Sequence, residues 1–259
     1  DDAIGAAALA HSRDMAAHRP EILLPAHGLP VSGADRIATM LTDIATALEG
    51  LVADVVHKEA PATEICTQIR ASILLAGPLV ARWGEAIVPP PGGDVIGRRR
   101  LDTHIHALGR LGADISADRR LHLTANGLVG ARVFLDEASV TGTENAVMAA
   151  TLAQGETTIV NAACEPHVQD LCRFLASLGA RIEGIGSNVL TIRGVDSLGG
   201  GEWRICPDHI EVASFVGLGA VTEAEIVIED VVPDHMVGVW HGFERLGLEW
   251  HAEGDSVRV

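Results

Sequence analysis

An internal repeat constrains the fold of this chain more than any other sequence feature. The turn Leu111-Gly112-Ala113-Asp114-Ile115 recurs at residues 178–182 and again at residues 246–250. The copies start at residues 111, 178 and 246, so the period is 67 and then 68 residues. This period is too long for a solenoid of short repeats, and it is typical of a pseudo-symmetric α/β domain built from β-α-β-α-β-β units. We expect about two complete units and part of a third.

Local signals around each copy predict a helix before the turn and a strand after it. Apolar residues at helical spacing predict helices over residues 104–110, 168–177 and 236–245. The glycine of each turn can adopt the left-handed conformation that ends a helix. The repeat therefore combines a periodic sequence with a plausible local structure at each copy.

The composition of the chain excludes several classes of function. Its 259 residues include 35 acidic and 19 basic residues, which gives a net charge of −16. A chain this negative repels nucleic acids and anionic membranes, so neither is expected as a partner. No apolar run approaches the ~18 residues of a membrane span, no signal peptide opens the chain, and the four cysteines form no C-x-x-C pair. These features predict a cytoplasmic protein.

The loop over residues 89–102 is the densest candidate for chemistry. Three prolines stiffen its approach, Gly92-Gly93 permits a tight exposed turn, and Asp94 lies at the tip. Arg98–Arg100 follow, and arginine suits bidentate binding of phosphate or carboxylate. The pattern indicates an anion site, with a solvated basic loop as the alternative.

Two further segments are candidates for anion binding. Arg70 lies where a helix enters the core, as an edge residue or an anion ligand, and Gly77-Pro78 is expected to break or kink that helix. Ser139–Asn145 is expected to be a turn between a strand over Arg132–Leu135 and a helix over Ala146–Leu152. Backbone N–H groups at such a helix start favour anions, although most such turns are only caps. The twelve histidines show no H-E-x-x-H motif and no Cys/His cluster, so no metal site is predicted.

Six stretches occur in the order, and with close to the spacing, of one known family. They are residues 70–84, 91–97 followed by Arg99, Asp102 and His104, 148–159, 161–166, 178–180, and 198–201 followed by 207–208. On these motifs, residues 64–259 resemble the UDP-N-acetylglucosamine 1-carboxyvinyltransferases, the enolpyruvyl transferases of peptidoglycan synthesis. The related 5-enolpyruvylshikimate-3-phosphate synthases share the fold but match these loops less well.

This resemblance implies a fold and a reaction. The fold is an inside-out α/β barrel of repeated β-α-β-α-β-β units, with two such domains in the whole enzyme and an incomplete set in this chain. The reaction transfers the enolpyruvyl group of phosphoenolpyruvate to the 3′-hydroxyl of UDP-N-acetylglucosamine and releases phosphate, without metal or organic cofactor. It is the first committed step of peptidoglycan synthesis, which supports cell wall biogenesis, cell shape and cell division.

The resemblance also implies roles for individual residues. Asp94 stands where the family has the residue that protonates phosphoenolpyruvate, usually a cysteine, and an aspartate predicts insensitivity to epoxides that alkylate that thiol. Arg70 corresponds to an arginine that contacts the nucleotide sugar. The other implied contacts with substrate are Arg99, Arg100, Leu101, Asp102 and Thr103 in one loop, Glu137, Ala138, Ser139 and Val140 in a second loop, and Glu165.

The chain departs from the family pattern at several positions. Glu137 replaces a usual lysine, Thr141 a usual glycine, and Cys164 a common arginine. The sole lysine, Lys58, lies outside the Lys-Asn pair with which the family binds phosphoenolpyruvate. Two hypotheses follow: an enolpyruvyl transferase, or a catalytically incomplete fragment that acts at most as a UDP-sugar-binding module. The missing repeats predict a partner chain or self-association.

Three segments are expected along the chain. Residues 1–56 do not match the enolpyruvyl transferases and resemble the C-terminal end of a metallo-β-lactamase-fold hydrolase, in which a histidine like His27 can bind metal. A zinc hydrolase is therefore a third hypothesis, although one ligand alone cannot hold zinc. Residues 57–206 are expected to form part of the first transferase domain, and residues 207–259 the start of the second.

Overall fold

A computed structural model of the protein describes residues 63–93 and 100–259. The chain divides into two compact units, one ending at Arg204 and one starting at Ile205. The expectation that residues 207–259 are the start of a second transferase domain stays a prediction. The expected foreign segment 1–56 lies outside the described residues, and its boundary stays a prediction.

The first unit alternates helices with short strands. It contains α1 (Thr63–Cys66), a 3-10 helix (Arg70–Leu75), α2 (Ala76–Trp83), β1 (Glu85–Val88), α3 (Asp102–Arg110), β2 (Asp114–Ala117), β3 (Leu121–Thr124), β4 (Arg132–Phe134), α4 (Val140–Ala150), β5 (Glu156–Val160), α5 (Pro166–Ser177), β6 (Arg181–Glu183) and β7 (Val189–Arg193). The sheets have the orders β1-β3-β2 and β4-β5-β7-β6. Only β4 and β5 pair in parallel among these strands; the other pairs are antiparallel.

The second unit repeats the same pattern on a smaller scale. It contains α6 (His209–Thr222), β8 (Val227–Ile228), a 3-10 helix (Pro233–Met236), α7 (Val237–Arg245), β9 (His251–Glu253) and β10 (Ser256–Arg258). Its sheet order, β8-β10-β9, matches β1-β3-β2 and β5-β7-β6. The middle strands β3, β7 and β10 begin at residues 121, 189 and 256, which are 68 and 67 residues apart. The period read from the sequence is therefore a period of the fold.

The described residues hold one complete repeat and two partial ones. Elements β4 to β7 form a full β-α-β-α-β-β unit, whereas the repeats from α2 to β3 and from α6 to β10 lack the first strand. The expectation of two complete units is therefore wrong for this part of the chain, although the predicted fold class is confirmed. The turn glycines behave as expected: Gly112, Gly179 and Gly247 have φ values of +95°, +107° and +86° at the ends of α3, α5 and α7.

Helix α4 forms the centre of the first unit. Every residue from Gly142 to Ala150 is buried, because α2, α3, α5 and the sheet strands pack around it. The C-terminal half of the helix, Ala146–Ala150, is apolar throughout, as is typical of a helix in the interior of a domain. The small side chains of Ala146, Ala149 and Ala150 let the neighbouring elements approach closely. This buried helix gives the fold its inside-out character, with helices within and sheets outside.

The second unit has its own core. Val216, Met236 and Val257 are fully buried there, and the rings of Trp240 and Trp250 stack with centroids 4.3 Å apart. Asp208 caps α6 by accepting hydrogen bonds from two backbone amides of its first turn. Within residues 63–93 and 100–259, no helix has the length and apolarity needed to cross a bilayer.

Candidate functional site

The N-terminal turn of α4 lies earlier in the chain than the sequence pattern predicts. The helix begins at Val140, not Ala146, so most of the expected turn Ser139–Asn145 is helical. Ser139 is the N-cap, and its Oγ accepts a hydrogen bond from the backbone N–H of Gly142 at 3.2 Å. The small polar residues that suggest a turn are tolerated in this helix because each of them meets a specific neighbour.

Helix α3 begins beside this turn. It starts at Asp102 after Leu101, whose side chain makes no capping hydrogen bond, and the N–H groups of a first helical turn have no partner within the helix. A Cβ atom at Gly142 would lie only 2.8 Å from Cγ2 of Thr103, so the two helix starts are in close contact. The structure therefore brings together the two loops, 100–103 and 137–140, that the resemblance assigns to the nucleotide sugar.

Arg70 joins the first of these loops to the 3-10 helix. One of its guanidinium nitrogens, Nη2, donates a hydrogen bond to the backbone oxygen of Arg100 at 3.2 Å. Arg100 also forms an exposed ion pair with Asp102. The expected helix through Arg70 is a 3-10 helix that becomes α-helical at Ala76, so Pro78 lies in the first turn of α2 rather than at a break. Proline is tolerated there because its missing N–H would have no helical partner.

Gly92 and Gly93 of the candidate loop lie near Arg70. Gly93 has φ +89°, and a Cβ atom there would lie 3.0 Å from Cβ of Arg70. The backbone N–H of Gly92 donates to the backbone oxygen of Cys66 at 2.9 Å, and a Cβ atom at Gly92 would overlap the backbone oxygen of Thr67. Both positions therefore require glycine. Asp94 and Arg99, which follow these two glycines, lie outside the described residues.

A buried histidine lies behind these loops. His104 is 1% exposed on α3, and its ring contacts Asn145 through Nδ1 at 2.9 Å and Thr141 through Nε2 at 3.2 Å. Burial, with the positive charge of Arg70 as the second cause, lowers the pKa of His104 from its ordinary 6.5 to about 4. His104 is therefore neutral at physiological pH. His106, two residues on, is exposed.

A second titratable group lies on the other side of α4. Glu144 is 9% exposed, and burial followed by the charge of Glu165 raises its pKa from 4.5 to about 7. Burial, and then the charge of Glu144, also raises the pKa of the Cys172 thiol to about 11. Glu144 is not among the residues predicted from the sequence, because its segment has the composition of a turn. The signal in the sequence is an acid that is followed closely by the apolar residues of a helix.

The predicted binding residues that the structure describes are at least partly accessible to solvent. Arg100, Asp102, Glu137, Ala138 and Glu165 are exposed, and Arg70, Leu101, Thr103, Ser139 and Val140 are half-buried. Glu165 reaches the same region because loop 161–165 is tied to α4: the backbone N–H of Ala163 donates to Oγ1 of Thr143 at 2.9 Å. In the part of the chain that the structure describes, no three His, Cys, Asp or Glu side chains form a group that could hold a metal ion.

Curated proteins are similar to this chain in sequence. The chain is 56% identical over 196 residues to UDP-N-acetylglucosamine 1-carboxyvinyltransferase from Treponema denticola, and 58% identical over 196 residues to the protein of that name from Bradyrhizobium diazoefficiens. Each alignment covers 76% of this chain but 46% of the relative. The chain therefore spans less than half the length of the curated relatives it matches.

Solved structures share the fold at lower identity. The enolpyruvyl transferase NikO from Streptomyces tendae matches with a TM-score of 0.65 and 23% identity, over 77% of this chain and 49% of its own. EPSP synthase from Acinetobacter baumannii matches with a TM-score of 0.57 and 19% identity, over 83% of this chain and 56% of its own.

A family model gives the widest match. The model for EPSP synthase (3-phosphoshikimate 1-carboxyvinyltransferase) matches residues 37–259, and its match begins inside the segment 1–56. The repeat topology, the solved structures and this match agree, and the chain belongs to the EPSP synthase family of carboxyvinyltransferases.

Proposed function

We propose that the protein containing this chain transfers the enolpyruvyl group of phosphoenolpyruvate to the 3′-hydroxyl of UDP-N-acetylglucosamine, the first committed step of peptidoglycan synthesis. The observation that carries this proposal is the identity of 56% to a UDP-N-acetylglucosamine 1-carboxyvinyltransferase. The identity to an EPSP synthase of the same fold is 19%. The acceptor is therefore more consistent with a nucleotide sugar than with a shikimate phosphate.

The geometry of the first unit supports binding of a nucleotide sugar. Two helices, α3 and α4, begin side by side, and backbone N–H groups at helix starts favour anions such as a diphosphate. Arg70 lies at this point and adds a guanidinium group, which suits phosphate oxygens. In our proposal, loops 100–103 and 137–140 contact the nucleotide, and Glu165 approaches the sugar from the opposite side of α4.

The proposed chemistry needs a proton donor near the donor substrate. A bond forms between the sugar 3′-oxygen and C2 of phosphoenolpyruvate, and the bond from C2 to the phosphate oxygen breaks. C3 takes up a proton in the addition and loses one in the elimination, while the hydroxyl proton leaves with phosphate. We assign the proton transfer at C3 to Asp94, because a carboxylic acid can act as a general acid when its surroundings keep it protonated.

The lysine content of the chain favours a second candidate function. Because its sole lysine, Lys58, lies outside the Lys-Asn pair that the resemblance assigns to phosphoenolpyruvate, a UDP-sugar-binding module without turnover is the alternative. In either case, we propose that the protein acts with a partner chain or by self-association, and that nucleic acids and membranes are not partners.

Phosphate release separates these candidates. The chain is incubated with phosphoenolpyruvate and UDP-N-acetylglucosamine, and a parallel reaction contains shikimate 3-phosphate as the acceptor. We expect phosphate release when UDP-N-acetylglucosamine is the acceptor and none when shikimate 3-phosphate is the acceptor. The Asp94→Asn variant should release no phosphate with either acceptor. Binding of the nucleotide sugar without release favours the binding module. Release with shikimate 3-phosphate, or no binding of UDP-N-acetylglucosamine, contradicts the proposal.

A further inference from the structure

One buried amide joins the three segments that form the proposed nucleotide-sugar site. The side chain of Asn145 is fully buried on α4 and makes three hydrogen bonds. Its Nδ2 donates to the backbone oxygen of Ile73 at 2.8 Å, and its Oδ1 accepts from the backbone N–H of Gly77 at 2.8 Å. Its third partner is Nδ1 of His104 at 2.9 Å. The amide thus connects the segment that starts at Arg70 with both helices of the site.

These partners determine the proton position on His104. A backbone oxygen can only accept and a backbone N–H can only donate, so Ile73 and Gly77 allow one orientation of the Asn145 amide. In that orientation the second N–H of Nδ2 points at Nδ1 of His104, which must then be unprotonated. A neutral imidazole with a bare Nδ1 carries its hydrogen on Nε2.

This hydrogen extends the chain of bonds to the start of α4. Nε2 of His104 donates to Oγ1 of Thr141 at 3.2 Å. His104 is the residue after loop 100–103, and Thr141 is the residue after loop 137–140. The bond therefore joins the two residues that directly follow these loops. A glycine at position 141 would leave this Nε2–H without its acceptor.

We propose that Thr141 is a positioning residue for the nucleotide-sugar site: its hydroxyl accepts from His104, whose tautomer Asn145 fixes, and so holds the two loops at one spacing. The inference rests on the proposed function for the identity of the ligand. The hydrogen-bond chain itself is independent of the ligand, so the two can fail separately.

The test compares three substitutions. Thr141→Val removes the hydroxyl with little change in shape, and Thr141→Ser keeps it. Thr191→Val is the matched control, because Thr191 is half-buried on β7 and its side chain makes no hydrogen bond with the described residues. We expect Thr141→Val to weaken binding of UDP-N-acetylglucosamine about tenfold, a size typical of one hydrogen bond, with near wild-type binding in the other two variants.

Nuclear magnetic resonance supplies a readout that does not need the ligand. In wild-type protein labelled at histidine, we expect Nδ1 of His104 to show the shift of an unprotonated nitrogen and Nε2 that of a protonated one. Thr141→Val should shift the amide signals of loops 100–103 and 137–140, and Thr191→Val should not. The opposite tautomer, or unchanged loop signals in Thr141→Val, overturns the inference. If the loop signals shift as expected but wild-type protein does not bind UDP-N-acetylglucosamine, the proposed function fails and the hydrogen-bond chain stands.

Discussion

Replacing Glu144 with glutamine should make the first unit more stable at neutral and alkaline pH. Glu144 lies on α4 with a carboxyl group that makes no hydrogen bond within the described residues, and its pKa rises from 4.5 to about 7. Folding therefore favours the protonated form. Stability from this group is fully present below pH 4.5 and is lost as the pH rises through 7. Glutamine resembles the protonated acid and does not ionise.

The pKa shift sets the size of this effect. A rise of about 2.5 pKa units corresponds to about 3 kcal/mol at 1.36 kcal/mol per unit. Glu144→Gln should change the free energy of unfolding by a constant offset below pH 4.5. Its advantage over wild type should then grow between pH 4.5 and 7 and level off above pH 7. This growth is the quantity to measure, because any packing difference of the amide is independent of pH.

His104 adds a second pH dependence to the comparison, because its pKa is shifted in the opposite direction from that of Glu144. Its pKa falls from 6.5 to about 4, so stability from the neutral ring is present above pH 6.5 and is lost as the pH falls towards 4. In the wild type the two groups offset each other between pH 4.5 and 6.5. Without Glu144, only the histidine remains, and the variant should lose about 3 kcal/mol as the pH falls from 6.5 to 4.

Urea unfolding at several pH values between 4 and 8 measures both effects. Hydrogen exchange of amides in β5 and β7 assigns the changes to the first unit. Glu137→Gln is the control, because Glu137 is exposed and precedes the same helix. Parallel stability profiles of wild type and Glu144→Gln over this range would show that the burial of Glu144 does not alter its titration, and would refute the reasoning.

Three further results are expected. Gly77→Ala should destabilise the protein by about 1–3 kcal/mol in urea unfolding, because the new Cβ atom would lie 2.6 Å from two oxygens of Asn145. Gly109→Ala is the control and should not destabilise the protein, because the nearest neighbouring atom lies 3.8 Å from its new Cβ atom. Equal effects of the two substitutions would contradict the packing argument. Asp208→Ala should lower the free energy of unfolding by about 1 kcal/mol, because the Asp208 side chain caps two backbone amides at the start of α6. Hydrogen exchange should become faster at those amides alone, and unchanged exchange there would rule out the cap. Mass spectrometry after treatment with an epoxide that alkylates the family's usual cysteine should show no adduct at Asp94, and an adduct would contradict the expected insensitivity.

The sequence predicted the parts of this fold that depend on local signals. A glycine after each apolar-periodic helix requires a left-handed turn, and Gly112, Gly179 and Gly247 all adopt one. Local sequence patterns do not predict the strand order. They do reveal the period of the repeat, because each copy needs the same local structure. The loops of the candidate site were found through resemblance, whereas periodicity indicated only helix edges there.

The errors occur where tertiary contacts override local preference. Ser139–Asn145 is rich in small polar residues, which favour turns when they are exposed, yet most of it is a buried helix because its neighbours satisfy those groups. The hydrogen bond from Gly77 to Asn145 spans 68 residues, so no local pattern could reveal it. The raised pKa of Glu144 likewise depends on burial and on Glu165, from a different part of the chain.

Three consecutive polar residues on α4 explain why one helix can organise the whole site. Successive residues of an α-helix are turned by about 100°, so Thr143, Glu144 and Asn145 face three different neighbours. Thr143 accepts from Ala163 beside loop 161–165, and Asn145 bonds to the segments around α2 and α3. Apolar side chains at these positions would pack in several registers, whereas each hydrogen bond is satisfied in only one. Glu144 has no such partner in the described residues, so its burial is destabilising once it ionises. The specificity of the arrangement and its sensitivity to pH therefore have the same origin, the burial of polar side chains around the start of α4.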